Sequence, residues 1–494
     1  MNQPMMLKEI ANYIDGKLVN YSENLRVDNI SFSSNNIGDN TLFIAIKGYN
    51  VDGHKYIDDA FKNGAICVIC EDDSYLLGRV GIVVKDSRYA LSKLASIYYM
   101  NPSSKMFLEG VTGTNGKTTT NWILYNLYSI LGETSLRLGT LGAFSQDVID
   151  KEFATGMPDP LTIQGILADF VQKGGEYAVL EYTSQGGTQY RGDFLEYDSG
   201  IFTNLTQDHL DYHKTMEDYF LAKKRFFELL VESPKSDKNA IINIDCPYGK
   251  RLYDYLKDKD LTLFGYGFNE NAEIYIKEFE QNIKGSKLTL QFFGMDYVIE
   301  SNFIGEFNAH NIAAAFGAFV ARTKDPQKFV ELFDLVPPVP GRLEPVKNDK
   351  HLGIYIDYAH TDDALKNVLE TLRKIVKPEA SLWCVFGCGG DRDRTKRPKM
   401  ARVVCELADK VVMTMDNPRT EDPNQILSDM LEGCEEPDII ELDRKIAIYE
   451  VLHQAKDGDV VLVAGKGHEN YQIIGTEKIH YSDKEAVEEI LASL

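Results

Sequence analysis

Apolar positions along the chain follow two patterns. Short unbroken apolar runs alternate with stretches in which apolar residues recur every three or four positions. Before residue 100 the runs TLFIAIKG, AICVICED and VGIVVKD read as strands, and helical stretches such as YIDDAFKNG separate them. This predicts a small α/β unit. MFLEGV then leads through TGTNGKTTT into NWILYNLYSILG, whose apolar residues fall at 122, 123, 124, 127, 130 and 131. That stripe predicts a helix ending at Gly132. YAVLEY, SGIFTNL and NAIINID read as further strands of one sheet. Beyond residue 337 the candidate strands are GIYIDYAH, LWCVFGCGG, KVVMTMDN, DIIEL and DVVLVAGKG, with helical patterns between them. Such alternation predicts a doubly wound, mostly parallel sheet.

Turn formers at Asn101-Pro102-Ser103-Ser104 and Val336-Pro337-Pro338-Val339-Pro340-Gly341 mark two boundaries. They divide the chain into residues 1–100, 101–336 and 337–494. The length, 494 residues, agrees with three domains at about 150 residues each. Lys and Arg total 53 against 75 Asp and Glu, a net charge of −22. That balance argues against nucleic-acid binding and against an anionic membrane surface. It allows an enzyme for small anions if its cations gather at one site. No run approaches the ~20 apolar residues of a membrane span. The first residues lack the long apolar core of a signal peptide. Seven scattered cysteines, with Cys67 and Cys70 inside an apolar run, predict a buried strand and not a redox or zinc pair. A reducing, cytoplasmic location and a monomer are expected.

The strongest chemical signal is Gly113-Thr114-Asn115-Gly116-Lys117-Thr118, between a predicted strand and a predicted helix. Glycines let backbone N–H groups approach phosphate, and the helix start adds partial positive charge. Lys117 is placed to reach terminal phosphates and Thr118 to face Mg²⁺. The motif departs from a standard Walker A, because Val111 stands where its first glycine belongs. Glu181 ends YAVLEY, and FTNLTQDHLDYH follows. Glu181, Asp208, His209 and His213 are candidate metal partners, and the two histidines are spaced for one helix face. Lys223 and Lys224 lie on the next helix, and nothing in the sequence separates their roles. Gly389 to Arg397 packs four cations at a strand end, suited to carboxylates or phosphate. Asp416-Asn417-Pro418-Arg419 and Gly465-Lys466-Gly467-His468-Glu469 end two other strands, a mixture of charges suited to a zwitterion.

In series, these motifs resemble the Mur ligases over essentially the whole chain. The strings that carry the likeness are TGTNGKTT, the Glu181 strand end, FTNLTQDHLDYH, Leu221-Ala222-Lys223, GEFNAHN, PGRLE, DYAHT, GCGGDRDRTKRP, DNPR and GKGHE. The resemblance implies an α/β protein of three domains, with a central P-loop-type ATPase sheet and a C-terminal doubly wound Rossmann-like sheet. It implies ATP-driven activation of a UDP-sugar-peptide carboxylate as an acyl phosphate, then attack by the amine of a diamino acid. Gly113, Thr114, Asn115, Gly116, Lys117, Thr118 and Thr119, with Asn308, Asn311, Arg342, Asp357 and His360, would then contact ATP. Lys117, Glu181, His209 and Lys223 would be catalytic. Thr118, Glu181, His209 and Lys223, the last as a carbamate, would hold Mg²⁺. Ser33, Ser184, Gln189 and Arg191 would contact the acceptor. Arg392, Asp416, Asn417, Arg419, Gly465 and Glu469 would bind the amino acid, and DNPR resembles the form found where that substrate is meso-diaminopimelate.

The sequence departs from the family pattern at Gly156-Met157 for two threonines, at Gln185 for histidine, at Phe32-Ser33-Ser34 for D-S-R and at Asp362 for proline. The first three fall where the acceptor is expected. Two other readings therefore stay open: a related ligase with a different carboxylate acceptor, and a non-catalytic nucleotide-binding protein.

Overall fold

The computed structural model describes residues 3–21, 25–48, 51–146, 148–153 and 155–494. They form two compact units, residues 1–275 with 311–329 and residues 276–310 with 330–494.

Besides a two-stranded pairing of Met5–Met6 with Arg26–Val27, the first unit holds two larger sheets. The smaller has the order Lys17–Val19, Gly81–Val83, Cys67–Cys70, Thr41–Ile44, Asn29–Ser31, parallel apart from its first strand. Cys67 and Cys70 are both buried in it, as their apolar context predicts. Burial pushes both thiols up, Cys70 to about 11, which leaves little thiolate for redox or metal chemistry.

The larger sheet includes six consecutive parallel strands in the order Ser135–Gly139, Tyr177–Glu181, Phe107–Thr112, Ser199–Phe202, Asn239–Asn243, Thr262–Gly267. Antiparallel strands Gly142–Ser145 and Ile149–Lys151 extend one side. All five residues of Tyr177–Glu181 and of Asn239–Asn243 are buried, which is why these runs are unbroken and not alternating. Register sets Glu181 beside Val111 and Phe202 beside Thr112. Three strand ends therefore stop level, next to the Gly113–Thr118 loop.

Helix Met216–Glu232 packs on this sheet. Its Phe226 ring occupies the space that a side chain at Gly110 or Gly200, on adjacent strands, would take. The two glycines let the helix lie close, and Lys223, one turn before Phe226, is drawn to the loop.

The second unit contains a six-stranded sheet, Glu344–Val346, Gly353–Asp357, Val460–Ala464, Leu382–Phe386, Lys410–Met413, Ile439–Ile440. All but the first strand run parallel, so the five predicted strands are found. Cys405 and Cys434 form a disulfide that their spacing alone did not announce.

Two of the four clustered cations belong to the scaffold. Arg397, buried, donates to Glu421 at 2.8 and 2.6 Å and to Asp429 at 2.7 Å. Arg394 grips Asp429 at 2.9 and 2.8 Å. The Arg397 hydrogen bond holds Glu421 at about 2, and Arg394 holds Asp429 at about 2. Both carboxylates are thus depressed from their ordinary values of 4.5 and 3.8. Their stabilisation is complete above the unfolded values and is lost as pH falls through the folded ones. Acid titration followed by near-UV circular dichroism should therefore show a loss of stability between about pH 4.5 and about pH 2. In Glu421→Gln that acid-sensitive component should shrink.

Candidate active site

The segment after Thr112 has the backbone of an anion cradle. Gly113 has φ +153° and Gly116 has φ +87° as the cap of helix Lys117–Ile130. A Cβ at Gly113 would meet Thr203 Oγ1, and one at Gly116 would meet Asn311 Oδ1. Both positions require glycine for conformation and for space. Lys117, Thr118 and Thr119 open the helix, where backbone N–H groups have no partner inside the helix.

The loop is braced by the segment after strand Ser199–Phe202. Thr203 Oγ1 donates to Asn115 O at 2.6 Å, and Asn204 Oδ1 accepts from Asn115 N at 2.9 Å. Thr114 Oγ1 accepts from Thr206 N at 3.1 Å.

Two lysines converge on one carbonyl. Lys117 Nζ donates to Gly113 O at 2.9 Å and Thr114 O at 2.8 Å. Lys223 Nζ donates to Gly113 O at 2.7 Å. Lys223 is only 1% exposed. Burial, and then the charge of Lys117, pushes its amine well below the ordinary lysine range. Lys224 differs: it pairs with Glu228 at 2.6 Å. The structure separates two neighbours that the sequence leaves equivalent.

Glu181 is buried, and Thr140 donates to it twice, from N at 3.0 Å and from Oγ1 at 2.9 Å. The histidines do not share a helix face, contrary to their spacing. His209 takes φ +52° as the cap of the short helix Leu210–His213 and stays half-exposed beside Asp208. His213 turns inward to Ser184 Oγ at 2.9 Å and stacks on Tyr219. Burial lowers its imidazole from the ordinary histidine value. Among the described residues no three His, Cys, Asp or Glu side chains gather as a metal cluster.

Near Ser184 a polar network forms. Arg191 donates to Gln189 Oε1 from Nε at 3.2 Å and Nη2 at 2.7 Å, and to Met157 O at 2.5 Å. Arg88, from helix Ser87–Tyr98, reaches the same Gln189 oxygen at 3.3 Å. Met157 is buried and packs against Gly186 and Gly192. Its carbonyl, not its side chain, faces Arg191. Ser33 caps a turn, donating its N–H to Ser31 Oγ at 3.1 Å.

In the second unit a separate group forms at the strand ends. Asp357 is buried, with its oxygens taken by Leu343 N at 2.7 Å and Ala359 N at 2.8 Å. Burial raises its carboxyl. Arg342 lies over the Tyr358 ring at 5.5 Å, and exposed His360 bonds Tyr358 O at 2.7 Å. Asn308 is buried and donates to Ile304 O at 2.8 Å. Asn417 Nδ2 donates to Glu469 Oε2 at 3.1 Å. Lys466 approaches Asp416 at 3.4 Å. Gly465 takes φ +117° directly after strand Val460–Ala464. Arg419 takes φ +53° and anchors Nη1 on Gly390 O at 2.8 Å. Arg392 is exposed and approaches Gly389.

Three family models match this chain: the Mur ligase family catalytic domain over residues 26–99, the Mur ligase middle domain over 111–319, and the Mur ligase glutamate ligase domain over 341–467. A UDP-N-acetylmuramoyl-L-alanyl-D-glutamate–2,6-diaminopimelate ligase of Parabacteroides distasonis is 39% identical over 99% of both chains. The chain belongs to the Mur ligase family. A ligase of the same name from Clostridium botulinum is 37% identical over 95% of this chain and 96% of its own. A solved structure bearing that name superposes with TM-score 0.71 at 32% identity, covering 94% of this chain and 95% of that one.

Within this Mur ligase, sequence reasoning missed Thr140, Thr203, Asn204 and Lys466. Thr203 and Asn204 lie inside the FTNLTQDHLDYH string and Lys466 inside GKGHE, which marked their segments without giving them a role, and Thr140 follows strand Ser135–Gly139 by one residue.

Proposed function

We propose that this Mur ligase joins meso-diaminopimelate to UDP-N-acetylmuramoyl-L-alanyl-D-glutamate at the expense of ATP, releasing ADP and phosphate, in peptidoglycan precursor synthesis. The single observation that carries the reading is full-length similarity to ligases of that name together with an intact Gly113–Thr118 cradle.

Residues 1–100 would bind the UDP-sugar, 101–336 the ATP and 337–494 the amino acid. The acceptor carboxylate attacks the γ-phosphorus of ATP, and ADP leaves. The amine of the amino acid then attacks the acyl phosphate. The tetrahedral intermediate loses a proton from nitrogen and expels phosphate as the amide forms. Backbone N–H groups of the cradle and Lys117 offset the charge that develops on the transferred phosphoryl group. Asn308, Asn311, Arg342, Asp357 and His360 are assigned to the nucleotide. Ser33, Ser184, Gln189 and Arg191 orient the acceptor, which converts an intermolecular attack into an effectively intramolecular one.

The donor set also fits divalent metal: the Thr118 hydroxyl, the Glu181 carboxylate, the His209 imidazole, and Lys223, whose buried, charge-poor amine is suited to taking up CO₂ as an anionic carbamate. Mg²⁺ held there would supply Lewis-acid neutralisation of phosphate oxygens. Among the described residues no helix is long and apolar enough to cross a membrane. We place the reaction in the cytoplasm, with the protein as a monomer.

Arg392, Asp416, Asn417, Arg419, Gly465 and Glu469 form the proposed amino-acid pocket. One arm of Arg419 is anchored on Gly390 O, and its remaining donors suit the distal carboxylate of meso-diaminopimelate. Arg419→Ala is expected to lower kcat/KM for meso-diaminopimelate by about 100-fold, the weight of a charge-assisted pair. Any residual use of L-lysine, which lacks that carboxylate, should change little. Steady-state kinetics with both amino acids reads the difference.

The deciding experiment mixes protein, ATP, Mg²⁺, meso-diaminopimelate and the UDP-sugar dipeptide, and measures ADP and product mass. A different acceptor is the competing reading, favoured by Gly156, Met157, Gln185 and Ser34. ADP release only with another carboxylate would establish that alternative. No release with any carboxylate would leave a nucleotide-binding protein.

A further inference from the structure

Lys466 has no assigned role above, yet it lies at the centre of the strand-end group in the second unit. Its side chain is fully buried, at 0% exposure. Its ammonium meets three acceptors: Asp416 Oδ1 at 3.4 Å, Asn417 Oδ1 at 3.1 Å and Glu469 Oε2 at 3.4 Å. The same three residues make up half of the proposed amino-acid pocket.

A buried cation needs partners to offset its desolvation, and two converging carboxylates repel unless a cation lies between them. The arrangement meets both needs. It also determines orientation. Asn417 Oδ1 accepts from Lys466 and from Ile473 N at 3.0 Å, so its Nδ2 must point to Glu469 Oε2. Lys466 and Asn417 thus occupy Glu469 Oε2, and Lys466 occupies Asp416 Oδ1. The second oxygen of each carboxylate stays outside the lysine's grip, and Tyr471 OH approaches that of Glu469 at 3.4 Å. The hairpin that follows supports the group from the other side, since Gln472 Nε2 donates to Asp416 O at 2.7 Å.

We propose that Lys466 is the positioning residue of the amino-acid pocket. Its ammonium holds Asp416, Asn417 and Glu469 as one array whose outer carboxylate oxygens receive the ammonium group of the incoming amino acid. Without it the two carboxylates repel, one turns away, and the Asn417 amide loses its fixed direction. The inference rests on the ligase reading above.

The test compares the intact protein with Lys466→Met and Lys466→Gln in the full ligase assay, with folding checked by circular dichroism. Either folded variant should show a KM for meso-diaminopimelate raised about 100-fold, while the KM values for ATP and UDP-sugar dipeptide stay within about twofold. Slow ADP release with ATP and acceptor alone, which reports the activation half-reaction, should persist. An unchanged amino-acid KM in a folded variant would overturn the assignment, as would an equal rise in all three KM values. Loss of folding in both variants would show a lysine that serves the fold alone and would overturn it too. If the unsubstituted protein itself neither binds nor consumes meso-diaminopimelate, the ligase reading fails first and the assignment falls with it.

Discussion

Lys223→Ala is expected to abolish ligation, with ADP release falling about 10³-fold or more, while the protein stays folded. The second half of that expectation follows from the energetics of the site. Lys223 is fully buried beside another lysine, so its amine stabilises the fold little in its charged form. Alanine removes that buried amine and leaves Gly113 O with Lys117 as its remaining donor. The first half follows from the proposed carbamate, since alanine deletes an anion from the metal-binding set. A carbamate forms when the neutral amine attacks CO₂ and releases a proton, and its chemistry ends in a carboxylate. A short carboxylate such as acetate or propionate should therefore partly restore ADP release to Lys223→Ala. Lys224→Ala, which breaks a pair with Glu228 and a contact over the Tyr255 ring, should retain activity within about twofold. Equal loss in both variants, or no rescue by any carboxylate, would count against the carbamate.

That contrast also marks the limit of the sequence. Strands buried on both faces leave unbroken apolar runs, as in Gly353–Asp357, Leu382–Phe386 and Val460–Ala464, all buried throughout, whereas the edge strand Ile439–Ile440 is parallel but partly exposed. The turn at Gly113–Thr118 was equally legible, because its glycines are demanded by positive φ within a few residues of one another. What separates Lys223 from Lys224 is long-range. Gly110 and Gly200 admit the Phe226 ring, the helix drops toward the sheet, and only then does one lysine reach Gly113 O. His209 and His213 misled for a related reason. Four-residue spacing implies a shared face only if the helix includes both, and His209 caps it in a left-handed conformation.

Charge shows the same division. A net −22 is a poor guide for a chain whose proposed ligands are nearly all anions. Within the cationic run after Gly390, Arg394 and Arg397 are consumed by Glu421 and Asp429, and exposed Arg392 lies apart from that grip. Local pairing, not net charge, decides which cations can meet a substrate.

Asp483→Ala should give the largest loss of stability. Arg444 and Asp483 are 1% and 0% exposed and share two hydrogen bonds, at 2.7 and 2.8 Å. Removing one partner leaves a buried charge uncompensated, at a cost of about 3–5 kcal/mol. At roughly 2–4 °C per kcal/mol, the thermal midpoint should fall by about 10 °C. Replacing both, Arg444→Met with Asp483→Leu, should recover much of that loss, because no unpaired ion then remains. Recovery of stability should not bring recovery of function. Arg444 also donates to Ala464 O at 2.8 Å and Met415 O at 3.3 Å. Those carbonyls immediately precede Gly465 and Asp416, so the same guanidinium clamps both strand ends of the proposed amino-acid pocket. The double variant is therefore expected to melt near the unsubstituted protein yet show a raised KM for meso-diaminopimelate. Calorimetry and kinetics on the two variants separate the roles: a double variant with normal amino-acid KM would leave the ion pair as scaffold alone.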